Sequence, residues 1–159
     1  MWFFMNSCYL LSAISAFLLF LGFFQSIFHF MILNANLLTL TVLISLVYLF
    51  TETLVIFFYV GTGVSIKEYV QEHRLDQTFH RESIQIKRKL YPPLLTNMLL
   101  MIILFVLVGA VDNRMLPAWI YSIYYSACLL HYGKIKLIQH ACFRENTELI
   151  LKMSGVKRL

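Results

Sequence analysis

The chain has 159 residues, is 60% hydrophobic and 13% charged, and carries a formal net charge of +5 with a mean hydropathy of +0.74. A soluble domain is about 45–50% apolar and about 25% charged, so this chain lacks the polar side chains to cover a water-facing exterior. Its apolar content excludes disorder as well.

It reads as one all-α integral membrane domain, 1–159, a four-helix transmembrane bundle with cytoplasmic amphipathic helices. A hydrocarbon span needs about 20 apolar residues, and the sequence offers such a stretch near 8–31. Its start, Met1-Trp2-Phe3-Phe4, has no basic side chain and its apolar run is too long for a signal peptide, so it is expected to be retained. Ser15, Gly22, Ser26 and His29 follow helical spacing, a stripe suited to close helix packing.

Asn34 and Asn36 mark a turn, and a second span follows at 36–63. It holds Glu52, the one formally charged side chain of residues 1–66. Glu52 lies about 16 residues into this helix, roughly 24 Å along it. A charge at that depth costs at least about 2.5–3.5 kcal/mol on insertion scales, so it should face the protein interior and have a partner. Tyr48 and Tyr59 share its face, one turn back and two turns on. Gly61-Thr62-Gly63 is too short for a phosphate loop and reads as a close helix contact or a bend.

Segment 64–92 is expected to form a cytoplasmic hairpin of short amphipathic helices. Lys67, Arg74, Arg81, Lys87, Arg88 and Lys89 lie there with Glu68, Glu72, Asp76 and Glu82. His73, Asp76 and His80 share a helical face, with His140 and Cys142 elsewhere in charged sequence. Their spacing matches no metal motif, so no metal is expected and the face reads as solvated.

Pro92 and Pro93 are expected to open a third span, 93–111, because proline is tolerated at a helix start. After Asn97 it is apolar to Gly109. Asp112, Asn113 and Pro117 mark a turn, and a fourth span is placed at 116–134. In it Tyr124, Cys128 and His131 fall on one face, and His131 should reach the depth of Glu52. A Glu52–His131 hydrogen bond is therefore expected, as a buried polar staple or as a proton or ligand site. Ala118, Ser122 and Ser126 at i+4 spacing, like Gly22, Ser26, Gly61 and Gly63, are candidate helix-packing positions. Tyr121, Tyr125 and Tyr132 suit packing or lipid contact. A cytoplasmic C-terminal helix and tail, 135–159, should follow, with Val156-Lys157-Arg158-Leu159 facing lipid headgroups or an acidic partner.

Of the 13 basic residues, all but Arg114 fall in segments 64–92 and 134–159. The Lys/Arg excess marks the cytoplasmic side, which puts both termini inside, in a bacterial inner membrane or an equivalent organelle membrane. Trp2 and Trp119 fit interfacial anchors at opposite ends. The basic balance is thereby a topology signal, with anionic headgroups as partners and no nucleic acid. Cys8, Cys128 and Cys142 form no CxxC pair and read as free thiols.

No catalytic or nucleotide-binding motif occurs, so an enzyme is not expected. His29 and His131 lie at different depths, which argues against one haem between them. No cofactor is expected beyond lipid; haem and quinone are the alternatives weighed. The expected role is a non-catalytic accessory or assembly subunit of a larger membrane complex, packing against other integral membrane subunits and lipid. The alternatives are a redox or quinone-associated subunit using Glu52 and His131, and a homo-oligomeric channel or carrier.

Overall fold

The computed structural model describes residues 2–28, 31 and 34–155, with the side chain of Trp2 excepted. It contains α1 (Trp2–Phe28), α2 (Leu37–Glu72), α3 (Thr78–Asp112) and α4 (Ala118–Met153). Connections at 73–77 and 113–117 are too short for anything but antiparallel neighbours. Each helix packs on its chain neighbours, and α1 closes the square on α4. His29 and the 156–159 tail lie outside the described residues.

The helix ends follow local chemistry. Asn36 caps α2, its side chain accepting from the Thr39 N–H at 2.8 Å. Two helices end on left-handed residues, Arg74 (φ 51°) after α2 and Arg114 (φ 58°) after α3. In each, the next amide bonds five residues back: Leu75 to the Val70 carbonyl (3.0 Å) and Met115 to the Ala110 carbonyl (2.9 Å). This is the Schellman closure, in a position that favours glycine.

α1, α2 and α3 are long and apolar enough to cross a membrane, whereas α4 matches them in length but not in hydropathy. The expected fourth span at 116–134 is therefore not recovered by composition. Tyr121, Ser122, Tyr124, Tyr125, Ser126, His131, Tyr132 and Lys134 dilute it. The three largest of these inward side chains hide their polarity in the bundle. Tyr121 hydrogen-bonds Thr41 (2.8 Å), Tyr125 donates to the Leu19 carbonyl (2.9 Å) and Tyr132 to the Ser12 carbonyl (3.0 Å).

The expected breaks at 63/64, 92/93 and 134/135 are not where the helices stop. α2 and α3 run on as the two arms of the hairpin, and α4 is continuous through Lys134. Pro92 and Pro93 lie inside α3 rather than at its start. Each ring fixes a helical φ but removes the bond to the carbonyl four residues back. Those carbonyls belong to Arg88 and Lys89, both exposed residues, while Ile86, Leu90 and Leu94 bury the opposite face on either side of the pair. Inward packing thus holds one helix across both prolines. At about 1.5 Å per residue, the helices of 35 and 36 residues exceed 50 Å and outreach a hydrocarbon core of about 30 Å.

The core divides in two. One cluster, toward the charged end, gathers Val55, Phe58, Tyr59, Leu90, Leu94 and Phe143. The other gathers Leu19, Ile44, Tyr48, Leu104, Tyr121 and Tyr125. Small residues set the approach of α1 to its neighbours. A Cβ on Gly22 would collide with Ile44 Cδ1 and come within 2.6 Å of Tyr125 Oη. Gly22→Ala must displace the Tyr125 hydroxyl from the Leu19 carbonyl, and is expected to destabilise by about 1–3 kcal/mol. Gly61→Ala meets nothing within 4 Å and should gain about 0.5–1 kcal/mol of helix stability. Thermal unfolding of the two variants in one detergent reads the difference in sign.

Candidate functional site

Between the two apolar clusters lies a polar layer. Its centre is Glu52 on α2, fully buried, with Oε1 2.6 Å from Lys136 Nζ on α4. The ammonium has three donors and three acceptors meet it. Besides Glu52 they are Ser12 Oγ on α1 (3.1 Å) and Gln139 Oε1 (2.7 Å). The Tyr132 ring lies beneath, its centroid 5.0 Å from Nζ, adding a cation–π attraction. Glu52 Oε2 is buried with no hydrogen-bond partner among the described residues. Beside this group Ser15 Oγ meets Thr51 Oγ1 at 2.9 Å, tying α1 to α2.

One helical turn away is a second node. Asn97, the buried amide of α3, donates through Nδ2 to Tyr48 Oη on α2. Its Oδ1 accepts from His131 Nδ1 on α4 at 2.9 Å. This arrangement requires the proton of His131 to sit on Nδ1. Three helices are thereby joined at one amide.

The expected Glu52–His131 hydrogen bond is not formed. Glu52 pairs with Lys136, and His131 pairs with Asn97. The reason is helical phase. Lys136 lies beside Tyr132 and Gln139 on the face turned to α1 and α2, whereas His131 points to α3. Of the other expected residues, Tyr48 joins His131 through Asn97. Tyr59 is buried two turns toward the charged end, stacked on Phe143 at 5.4 Å, with its hydroxyl unpartnered among the described residues. Tyr124 donates to the Leu100 carbonyl at 3.2 Å on the α3 side, apart from Glu52.

The reading from sequence missed Lys136, which it assigned to a cytoplasmic helix outside the span. The available signal was periodicity. Tyr125, Cys128, Tyr132, Lys136 and Gln139 fall at spacings of three and four without a helix breaker. Ser12 gave no comparable signal.

The packing positions divide. Ser122 donates to the Ser26 carbonyl across the α1–α4 contact at 3.0 Å. Ser126 bonds back to the Ser122 carbonyl at 2.8 Å, and Ala118 is half-buried. Gly63 lies under the ammonium end of Lys87, whose Nζ a Cβ there would strike and whose Cε would be 2.7 Å away. Gly61 touches nothing and faces outward.

Two grooves reach this part of the molecule. One, of about 240 Å³, opens between α1 and α4 beside Tyr9, Ser12, Lys136 and His140. At its mouth Tyr9 Oη and His140 Nδ1 are 2.9 Å apart. The second, of about 440 Å³, lies between α2 and α4 at the charged end. Cys8, Cys128 and Cys142 are buried and unpaired. Among the described residues no three His, Cys, Asp or Glu side chains converge as metal ligands.

Fold and polar layer together define an antiparallel helical bundle of the membrane class, with three helices fit to span and a buried ion pair at its waist. Compared with family models, curated proteins and solved structures, the chain matches none.

Proposed function

We propose that the chain is a non-catalytic accessory or assembly subunit of a larger membrane complex, packing against partner helices and lipid. The observation that carries this reading is the groove at the charged end. Along most of the bundle, α1 fills the slot between α2 and α4. Phe4 of α1 stacks near Phe58, at 6.1 Å between rings. α2 continues 14 residues further to Glu72, about 20 Å. Beside Phe4 an apolar groove is lined by Phe57, Ile66, Tyr69, Ile150 and Met153, with Gly61 and Ser65 as its small side. A helix from another subunit fits it, and Gly61 permits close approach.

The interior supports the same reading. Lys136 has its three donors matched, and Asn97 links Tyr48 to His131, so the polar layer acts as a set of cross-links between helices. The outer faces of the spans are apolar, with Phe17, Phe20, Phe50 and Phe105 exposed, as lipid or partner helices require. In this reading α4 is the fourth span, its hydroxyls turned inward. The charged end is cytoplasmic by the positive-inside rule, which puts both termini at that face. Its basic residues suit anionic headgroups.

Native mass spectrometry after gentle extraction tests it. The expected result is foreign subunits at fixed ratio, lost in Gly61→Leu while the bundle melts no lower than before. Recovery of the wild type as a lone monomer or homo-oligomer overturns it.

The α1–α4 groove favours a second reading, a redox or quinone-associated subunit. A head group entering from lipid beside Tyr9 would meet Lys136, one residue from the uncommitted oxygen of Glu52. Quinone extracted with the pure protein, and lost in Lys136→Met, would support it. A homo-oligomeric channel or carrier is disfavoured by α3, which buries Met101, Leu104 and Val108 beyond Asn97 as an apolar wall.

A further inference from the structure

We propose that the tip of the α2–α3 hairpin is a binding site for a phosphate monoester, held by Lys67, Arg74 and His80. A cavity of about 410 Å³ opens there. Lys67 and Gln71 line it from α2, Arg74 and Gln77 from the turn, and His80 from the first turns of α3. Val70 and Leu75, the apolar pair that closes the Schellman turn, form its floor.

Four features point to this ligand chemistry. First, every polar side chain on the wall offers N–H donors, and no carboxylate lines the cavity. Second, both cations are uncommitted, unlike the three described cations held in ion pairs: Lys89 with Glu145 at 3.0 Å, Lys136 with Glu52, and Arg144 with Glu148 at 3.9 Å. Among the described residues Lys67 and Arg74 belong to no such pair. Third, His80 lines the cavity, and its Nδ1 is buried with no hydrogen-bond partner among the described residues. Fourth, the charge matches. A phosphate monoester carries about −1.5 to −2 near neutral pH, against two cations and an imidazole. A single carboxylate would leave one cation unanswered. Arg74 can present two parallel N–H groups to two phosphate oxygens.

Asp76, in the same turn, does not compete for these donors. It is turned to the start of α3, where its Oδ1 accepts from the Thr78 N–H at 3.0 Å. Arg74 itself sits at φ 51°, where glycine is the favoured residue. The turn therefore holds a long cation at a position whose local geometry does not ask for one.

The phosphate has two available sources. Val64 is the last exposed large hydrophobic of α2, so Lys67 stands one turn beyond the apolar belt, at headgroup level. Arg74 lies about 15 Å beyond Val64 along the helix, within reach of soluble phosphate esters. The site is independent of whether the groove at Gly61 takes a partner helix.

The test uses the purified full chain in detergent and in phosphatidylcholine vesicles with and without phosphatidic acid. Inorganic phosphate is the soluble probe, with chloride at matched ionic strength as control. Arg74→Gly removes the cation while easing the backbone, so this variant keeps its fold; Lys67→Gln is the second. The expected result is a saturable rise in melting temperature with phosphate and none with chloride. Each variant should weaken the response about tenfold. A phosphate response without preference for phosphatidic acid assigns a soluble source. Selective retention of phosphatidic acid by native mass spectrometry, lost in both variants, assigns the lipid source. No saturable response to either probe, or responses unchanged in both variants, overturns the proposal.

Discussion

Lys136→Met is expected to destabilise the bundle by about 3–5 kcal/mol, the usual range for stripping one partner from a buried ion pair. The substitution leaves Glu52 fully buried, with neither carboxylate oxygen hydrogen-bonded to the protein. Glu52→Gln should cost less, about 1–2 kcal/mol. Lys136 keeps a fifth of its side-chain surface exposed. It also retains Ser12, Gln139 and the Tyr132 ring, and the α1–α4 groove lets its head move toward solvent. Combining Glu52→Leu with Lys136→Met removes both charges together, and should recover most of the stability lost in Lys136→Met alone. Equilibrium unfolding of the singles and the double in one detergent closes the cycle. Equal losses in the two single variants would show that the alternative contacts of Lys136 count for nothing.

The second large effect belongs to Asn97. Asn97→Leu should cost about 2–4 kcal/mol, because it strands Tyr48 Oη and His131 Nδ1 together. Tyr48 is fully buried, whereas His131 is half-buried. Tyr48→Phe should therefore cost only about 1 kcal/mol. The node also makes a spectroscopic prediction. In the wild type the nitrogen chemical shifts of His131 should report the tautomer protonated on Nδ1. In Asn97→Leu that preference should disappear. A wild-type His131 protonated on Nε2 would contradict the bond to Asn97 Oδ1.

Both predictions concern contacts that no single segment of sequence specifies. The burial of Glu52 was legible, because an acid in an apolar run has nowhere to go but inward. Its partner was not. His131 and Lys136 lie on one helix at depths that both suit Glu52, and choosing between them needs the rotation of α4 about its axis. That rotation is decided by the tyrosines Tyr121, Tyr125 and Tyr132, whose hydroxyls seat on α2 and α1. Asn97 was visible as the polar interruption of α3, but not as the bridge between Tyr48 and His131.

The continuity of the helices is a second case. Pro92 and Pro93 carry a strong local signal for a helix start, and the structure overrides it. The signal is about lost hydrogen bonds, and those losses fall on the exposed side of α3. The buried side, Ile86, Leu90 and Leu94, sees no interruption.

By itself the sequence determines the class of the molecule, its long apolar helices and the gathering of charge at one end. These follow from composition and periodicity, which act residue by residue along the chain. The tertiary structure alone decides which polar groups meet, that Lys136 rather than His131 answers Glu52, and where the grooves open. Those outcomes depend on the rotation and axial offset of four helices packed together, and a side chain's partner across the bundle is set by that geometry.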